Sequence, residues 1–251
     1  MRIATPAGIS VLAAAVVALL VLLAVRPEPV PDFRDYEAGP ERKAEFFDFM
    51  QPLVEEANDE VLADRRRLEG LAGEEELGWL DRRWLATLAE DYAVDDQELE
   101  DTELVQELLQ RVDAVPVSLA LAQAAKESGW GTSRFARNGN NLFGEWCYDP
   151  GCGLVPAARA EGRSHEVEDF SSALHSVESY VRNLNTHWGY EEFRRQRKQL
   201  RDSDLPLTGL ALVDALAKYS ERRGDYVEEI RQLIHFNDLP ARILAGSDSD
   251  R

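Results

Sequence analysis

The chain has 251 residues, 44% hydrophobic and 30% charged, the make-up of a globular protein rather than a disordered one. Its 47 acidic residues outnumber 28 basic ones, for a net charge of −19. A field of that sign repels phosphates, so it argues against nucleic acid as a partner and against a basic face on anionic lipid; solubility is its ordinary reason.

In chain order, Arg2 precedes an apolar run from Ile9 to Val25, ISVLAAAVVALLVLLAV, broken only by Ser10. The run approaches the ~20 residues a spanning helix needs and exceeds the ~7–15-residue apolar core of a cleaved signal. Leu23-Ala24-Val25, followed by Arg26-Pro27, also makes a poor cleavage site. Residues 1–26 are therefore expected to be a membrane-anchor helix, with a cleaved signal as the alternative. Either way the remainder is exported. Residues 27–40 open with PEPVPDF, whose prolines make a stiff linker.

Residues 41–111 read as a helical extension. Phe46, Phe47, Phe49, Met50, Leu53, Val54 and Ala57 recur at helical spacing, and the pattern continues through Arg65 to Leu71 until Gly70 and Gly73 break it. A further helix is expected from Glu75 to Tyr92, with Leu77, Leu80, Trp84, Leu85 and Leu88 on one stripe. The acidic stretch from Asp91 to Glu107, containing DDQELEDTE, reads as a solvated face or loop and lacks calcium-loop spacing. The apolar stripes need a partner surface, which favours an extension of the domain over a regulatory cover.

The segment VPVSLALAQAAKE reads as a buried helix, with Pro116 suited to its first turn. Gly129 and Gly131 end it around Trp130. Glu127 stands at that end. A carboxylate there faces the negative end of the helix dipole, and apolar surroundings further disfavour its charge, so both raise its pKa. A carboxyl kept protonated is what a general acid at a glycosidic oxygen requires, and the glycines leave room for substrate beside the backbone. The following WCYDPGCG holds the chain's two cysteines, Cys147 and Cys152. Pro150-Gly151 favours a tight turn between them, so in an oxidising compartment a disulfide is expected, two buried thiols being the alternative. The four histidines show no paired metal spacing; neither metal nor cofactor is expected. Arg159 to Phe170 suggests a hairpin turning near Glu161-Gly162, with Glu166 and Glu168 on one face of a strand. Three helices close the reading, Ser172 to His187 (capped by Ser171 or Ser172), Leu210 to Arg222 and Asp225 to Phe236.

Several motifs in order lift this reading. VPVSLALAQAAKESGWGTSRFARNGNNLFGEWCYDPGCGLVP, with A-x-x-E-S-G-W-G-x-S at Ala124 to Ser133 and N-N-L-F-G at Asn140 to Gly144, resembles the glucosaminidase family of bacterial peptidoglycan hydrolases (glycoside hydrolase 73-like), and within it the Bax-like group. Two later stretches match as well, HEV to Tyr190 and YSERRGDYVEEIRQLI from Tyr219 to Ile234. The resemblance implies an α+β, mostly helical, lysozyme-like domain over 112–245 with a small β-lobe, and a short tail over 246–251. It implies cleavage of peptidoglycan glycan strands after N-acetylglucosamine, with Glu127 as the acid. It suggests Trp130, Asn141, Phe143, Tyr190 and Tyr219 as substrate-binding residues, and a second carboxylate on the β-lobe, Glu166 first and Glu161 second. Two alternatives stay open: a lytic transglycosylase-like lyase with a single glutamate, and a non-catalytic glycan-binding scaffold. The expected location is the inner membrane, single-pass, with a periplasmic catalytic domain. The sequence leaves the oligomeric state open.

Overall fold

The computed structural model describes residues 30–249 except Glu75, Gln97, Ala158, Ala160, Glu161 and 219–223. The expected anchor segment lies outside these. Among the described residues no helix is long and apolar enough to cross a membrane.

Helix α1 (Pro40–Leu71) runs uninterrupted for 32 residues, through Gly70, and Pro40 opens it where a missing N–H costs nothing. Its stripe Phe46, Phe47, Met50, Val54 and Ala57 is buried in the main core. Its far end, Leu68 and Leu71, enters a second cluster with α2 (Trp79–Asp91) and α3 (Asp101–Arg111). Here the structure corrects one expectation. Leu80 is 60% exposed, so the α2 stripe runs through Leu85 and Leu88 without it. The acidic stretch, expected as a solvated face or loop within the helical extension, ends in α3: Glu100 and Glu103 cap its start reciprocally, and Leu104, Val105 and Leu108 are buried. The acids of its first turn complement the helix dipole, and the apolar stripe begins only after them.

Helix α4 (Val117–Ser128) is the centre of the main core, with Leu119, Ala120, Leu121, Ala122, Ala124 and Ala125 fully buried. Its alanines admit close neighbours. Gly209, at the start of α8 (Gly209–Leu212), sits so near that an added Cβ would lie 2.6 Å from Ser118 Oγ. The short α5 (Arg134–Gly139) follows, capped by Ser133. Then comes the small sheet, ordered β1-β3-β2, from β1 (Trp146–Cys147), β2 (Gly153–Leu154) and β3 (Glu166–Glu168). Both outer strands run antiparallel to β3. The expected hairpin within 159–170 is thereby corrected: β3 pairs back onto the two arms of the cysteine loop. Helix α6 (Ala173–Thr186) is capped by Ser172, and α7 (Glu191–Asp202), α9 (Gly224–Phe236) and α10 (Leu239–Ser249) complete the described chain. Two of these, α7 and α10, were not expected. The expected helix from Leu210 is a single α-turn, α8, followed by a 3-10 stretch over Val213–Lys218. The architecture is mostly helical with a three-stranded sheet.

The segment entering α4 is pinned from three helices, α1, α6 and α7. Asp113 is 2% exposed and contacts Arg201 (Nη2–Oδ1 2.8 Å), Arg65 (3.4 Å) and Arg197 (3.7 Å). The fully buried Arg197 also donates to the carbonyls of Gln110, Arg111, Asp113 and Ala114. Asn58 on α1 exchanges two hydrogen bonds with the backbone of Val115. Burial pushes the Asp113 carboxyl up, but the Arg201 hydrogen bond and the three guanidinium charges outweigh it and hold the pKa below the usual carboxylate value. A lowered pKa contributes stability above the unfolded value and loses it as pH falls through the folded one. Asp113→Asn is expected to cost ~3–5 kcal/mol at neutral pH, because it leaves buried guanidiniums uncompensated. Urea unfolding checks this, and the penalty should shrink toward acid pH.

Candidate functional site

Glu127 occupies the last turn of α4, partly buried. One turn earlier on the same face lies Gln123, fully buried in an otherwise apolar helix. Tyr180 on α6 donates to Gln123 Oε1 at 2.6 Å, and Gln123 Nε2 donates to the Tyr226 hydroxyl at 2.9 Å. That acceptance leaves the Tyr226 proton for Glu127, to which Tyr226 is hydrogen-bonded. A chain of oriented polar groups therefore runs from α6 through α4 to α9 and ends on the carboxyl. Phe143 stacks flat on Tyr180, centroids 3.9 Å apart, fixing its start. Lys126 pairs with Glu229 beside it.

Burial is the largest influence on Glu127 and raises its pKa. The Tyr226 hydrogen bond and the Lys126 charge oppose it, and Glu229 adds to it. The sequence argument placed apolar aromatics here, but Trp130 points elsewhere. Its ring meets Phe46 and Phe47 edge-on, at 5.9 and 5.3 Å, with the Lys43 ammonium over it. Gly129 adopts the left-handed conformation that ends the helix, as does Trp130 itself (φ 60°). Gly131 makes room for this chain's own Phe33, not for substrate: an added Cβ would lie 2.2 Å from that ring.

The remaining sequence-picked residues divide. Asn141 is buried and ties the loop together, accepting from Glu145 N and donating to the carbonyls of Glu145 and Glu168. Phe143 and Tyr190 are likewise buried, so these three support the site's framework and offer no open surface to a glycan. Cys147 and Cys152 are disulfide-bonded. Glu166 accepts from the backbone N–H of Gly151 (3.2 Å) and Gly153 (2.9 Å) in the disulfide loop, which holds its carboxylate below the usual pKa. That engagement makes it a brace for the loop rather than a free base. Glu161 and Tyr219 lie outside the described residues.

The chain matches the family described as mannosyl-glycoprotein endo-beta-N-acetylglucosaminidase over residues 102–239, from α3 to the start of α10. It is 37% identical over 199 residues to protein bax of Escherichia coli (strain K12), covering 78% of this chain and 70% of that one. The chain belongs to the glucosaminidase family, in its Bax-like group. The crystal structure of the catalytic domain of autolysin Auto from Listeria monocytogenes aligns over 70% of this chain and 94% of that one, at 16% identity and a TM-score of 0.38.

Sequence reasoning missed Gln123, Tyr226 and Glu145. Gln123 had a signal, a lone amide among alanines four residues before Glu127. Tyr226 lay within a matched motif, where Tyr219 was preferred. Glu145 follows N-N-L-F-G directly. Burial pushes its carboxyl pKa up to about 8, with the Ser179 hydrogen bond opposing and the Glu168 charge adding. The sign follows from the unfolded chain: as pH rises from about 4.5 toward 8, the unfolded Glu145 releases its proton while the folded one keeps it, so stability falls. Glu145→Gln removes this penalty. Its melting temperature should exceed that of the parent increasingly from pH 5 to pH 8 and match it below pH 4, as differential scanning calorimetry would show.

Proposed function

We propose that this glucosaminidase-family chain is a peptidoglycan-cleaving endo-β-N-acetylglucosaminidase, with Glu127 as general acid. The observation that carries this reading is the carboxyl's setting: partly buried, raised in pKa and hydrogen-bonded by a tyrosine whose own acceptance orients its proton. Such a group favours its protonated form more than a free carboxyl does, as donation to a glycosidic oxygen requires, and, once ionised, is stabilised by Tyr226 and Lys126. Attachment through the N-terminal apolar run and a periplasmic location belong to the same proposal; an oxidising compartment fits the cysteine pair.

The engagement of Glu166 by two loop amides favours a second reading, a lyase route in which Glu127 serves as acid and then base and the sugar's own hydroxyl attacks. An inverting or retaining hydrolase instead needs a carboxylate on the other face of the ring, for which Glu161 remains a candidate.

Full-length chain in detergent, incubated with purified peptidoglycan, separates the readings by product mass spectrometry. Free reducing N-acetylglucosamine ends mark the hydrolase, and anhydro-muramic ends mark the lyase. Glu127→Gln is expected to lower cleavage ~10²–10⁴-fold with binding retained, the range a general acid contributes. A fully active Glu127→Gln chain would remove the assignment. Glu166→Gln is expected to lose far less than the ~10²-fold that a catalytic base contributes.

A further inference from the structure

The turn that ends the Glu127 helix is held by a segment remote from it in sequence. Gly129, Trp130 and Gly131 take φ of 58°, 60° and 71°, three positive values in succession. A bulky residue rarely adopts such a conformation, and it persists only where the surroundings over-determine it. Part of the restraint is local. Trp130 N donates to Ala125 O at 2.8 Å, and Gly131 N donates to Ser128 Oγ at 2.8 Å, whose own proton goes to Ala124 O. The Trp130 ring is held edge-on by Phe46 and Phe47 of α1.

The rest comes from the residues before α1. The stretch 27–40, expected as a stiff linker, is docked from Val30 onward. Val30 and Tyr36 pack on the main core, and Phe33 between them is buried in it. Asp32 caps a single 3-10 turn, Phe33–Asp35, accepting from Arg34 N at 3.2 Å. Arg42 of α1 donates to Tyr36 O at 2.9 Å and ties down the exit. This strap presents the Phe33 ring to Phe46 and Phe49, edge-on at 5.3 and 5.8 Å, and lays it against Gly131 so closely that a Cβ there would collide with it. A close-packed interior yields little, so a rigid ring seated on a glycine sets where that glycine lies. The carboxyl of Glu127 is held by Tyr226 on α9, while its backbone runs directly into this turn.

We infer that Phe33 is a positioning residue for Glu127: its ring, seated on Gly131, fixes the turn after α4 and with it the helix end from which Glu127 projects. The role rests on the general-acid reading above and adds to it a residue from outside the matched family region, residues 102–239. The segment before α1 is thereby part of the machinery that sets the acid in place. Without the ring, a hollow opens behind Gly131, the turn relaxes into it and Glu127 shifts.

Full-length Phe33→Ala chain in detergent, assayed on purified peptidoglycan, tests this beside Phe33→Leu and a control, Leu88→Ala. Leu88 is buried in the second cluster, so its truncation lowers stability without touching the turn. Phe33→Ala should lower kcat ~10–100-fold with KM unchanged, because a small misplacement of a catalytic group is costly. Phe33→Leu, which refills part of the seat, should fall between it and the parent. Lys126 on α4 and Tyr226 and Glu229 on α9, the groups that face Glu127, are left intact. A loosened turn admits water to the carboxyl and weakens the burial that raises its pKa, so the alkaline limb of the kcat profile should move to lower pH in both Phe33 variants. Hydrogen exchange should show loss of protection at Trp130 N and Gly131 N in the same order. Leu88→Ala should leave kcat, limb and those two amides as in the parent. Where Phe33→Ala does not fold, Phe33→Leu against Leu88→Ala decides. A Phe33 variant indistinguishable from Leu88→Ala in kcat and limb, with Glu127→Gln still inactive, overturns the positioning role alone. A parent chain that cuts no wall overturns the glycan-cleaving reading, and this role with it.

Discussion

The fold depends on how one short segment, the end of α3 and the connector after it (Gln110 to Val115), is held. It has little apolar surface to bury beyond Val112 and Val115, so its position is set by polar contacts. Arg197 supplies most of them, from a fully buried guanidinium that meets four carbonyls and the Asp113 carboxylate. Burial lowers its pKa to about 10, which still leaves it charged at neutral pH. An isolated pair of this kind is a weak source of net stability, because desolvation offsets attraction. What it supplies here is geometry. Asn58 and Arg65 from α1, Asn185 from α6 and Arg197 and Arg201 from α7 all converge on the residues immediately before α4. The helix carrying Glu127 therefore enters the core at a fixed place.

From that fixed entry, α4 carries a second device. An apolar, alanine-rich helix can pack tightly but cannot orient a carboxyl at its end. Gln123 does so by threading one amide between two tyrosines from different helices. An amide has distinct donor and acceptor ends, so the direction of each hydrogen bond along the chain is set. Phe143, buried and stacked on Tyr180, extends that order to the N-N-L-F-G loop. The loop that frames the small sheet and the helix that ends in Glu127 are thus parts of one polar path. A connected network of this kind is worth more than its pairs taken singly.

Much of this was legible in the sequence, and the failures share a cause. The buried α4 helix, the cap at Ser172, the stripe of α1 and the last long helix from Asp225 follow apolar periodicity or capping chemistry. Helix α7 did not, because EEFRRQRKQLRD fills buried positions with Arg194 and Arg197, whose partners are remote carbonyls that no local pattern reveals. At the candidate site, the helix-end position of Glu127 and its raised pKa were expected from the sequence. Its orienting partners were not, since Gln123 and Tyr226 lie 103 residues apart and meet only in the fold. The packing of Trp130 on Phe46 and Phe47 and of Phe143 on Tyr180 was not legible, because an aromatic beside glycines reads alike whether it faces a groove or another ring.

Three glutamates around the small sheet show why a carboxyl's chemistry cannot be read from its strand position. Glu166 and Glu168 alternate on one short strand, yet their environments are opposite. Glu166 turns under the disulfide loop, where two backbone N–H groups favour its charge. Glu168 turns toward α6, where burial disfavours it, beside Glu145, which is disfavoured more strongly still. The loop closed by Cys147 and Cys152 is what separates them. It offers its amides on one side, and through β1 and β2 it flanks the strand that carries both acids. Gly153 is required for that closeness, since an added Cβ would lie 2.0 Å from Val167 O. Two acids whose charge burial disfavours thus lie on one side, and a carboxylate whose charge two backbone amides favour lies on the other. In this chain the ionised member is spent on holding the loop in place.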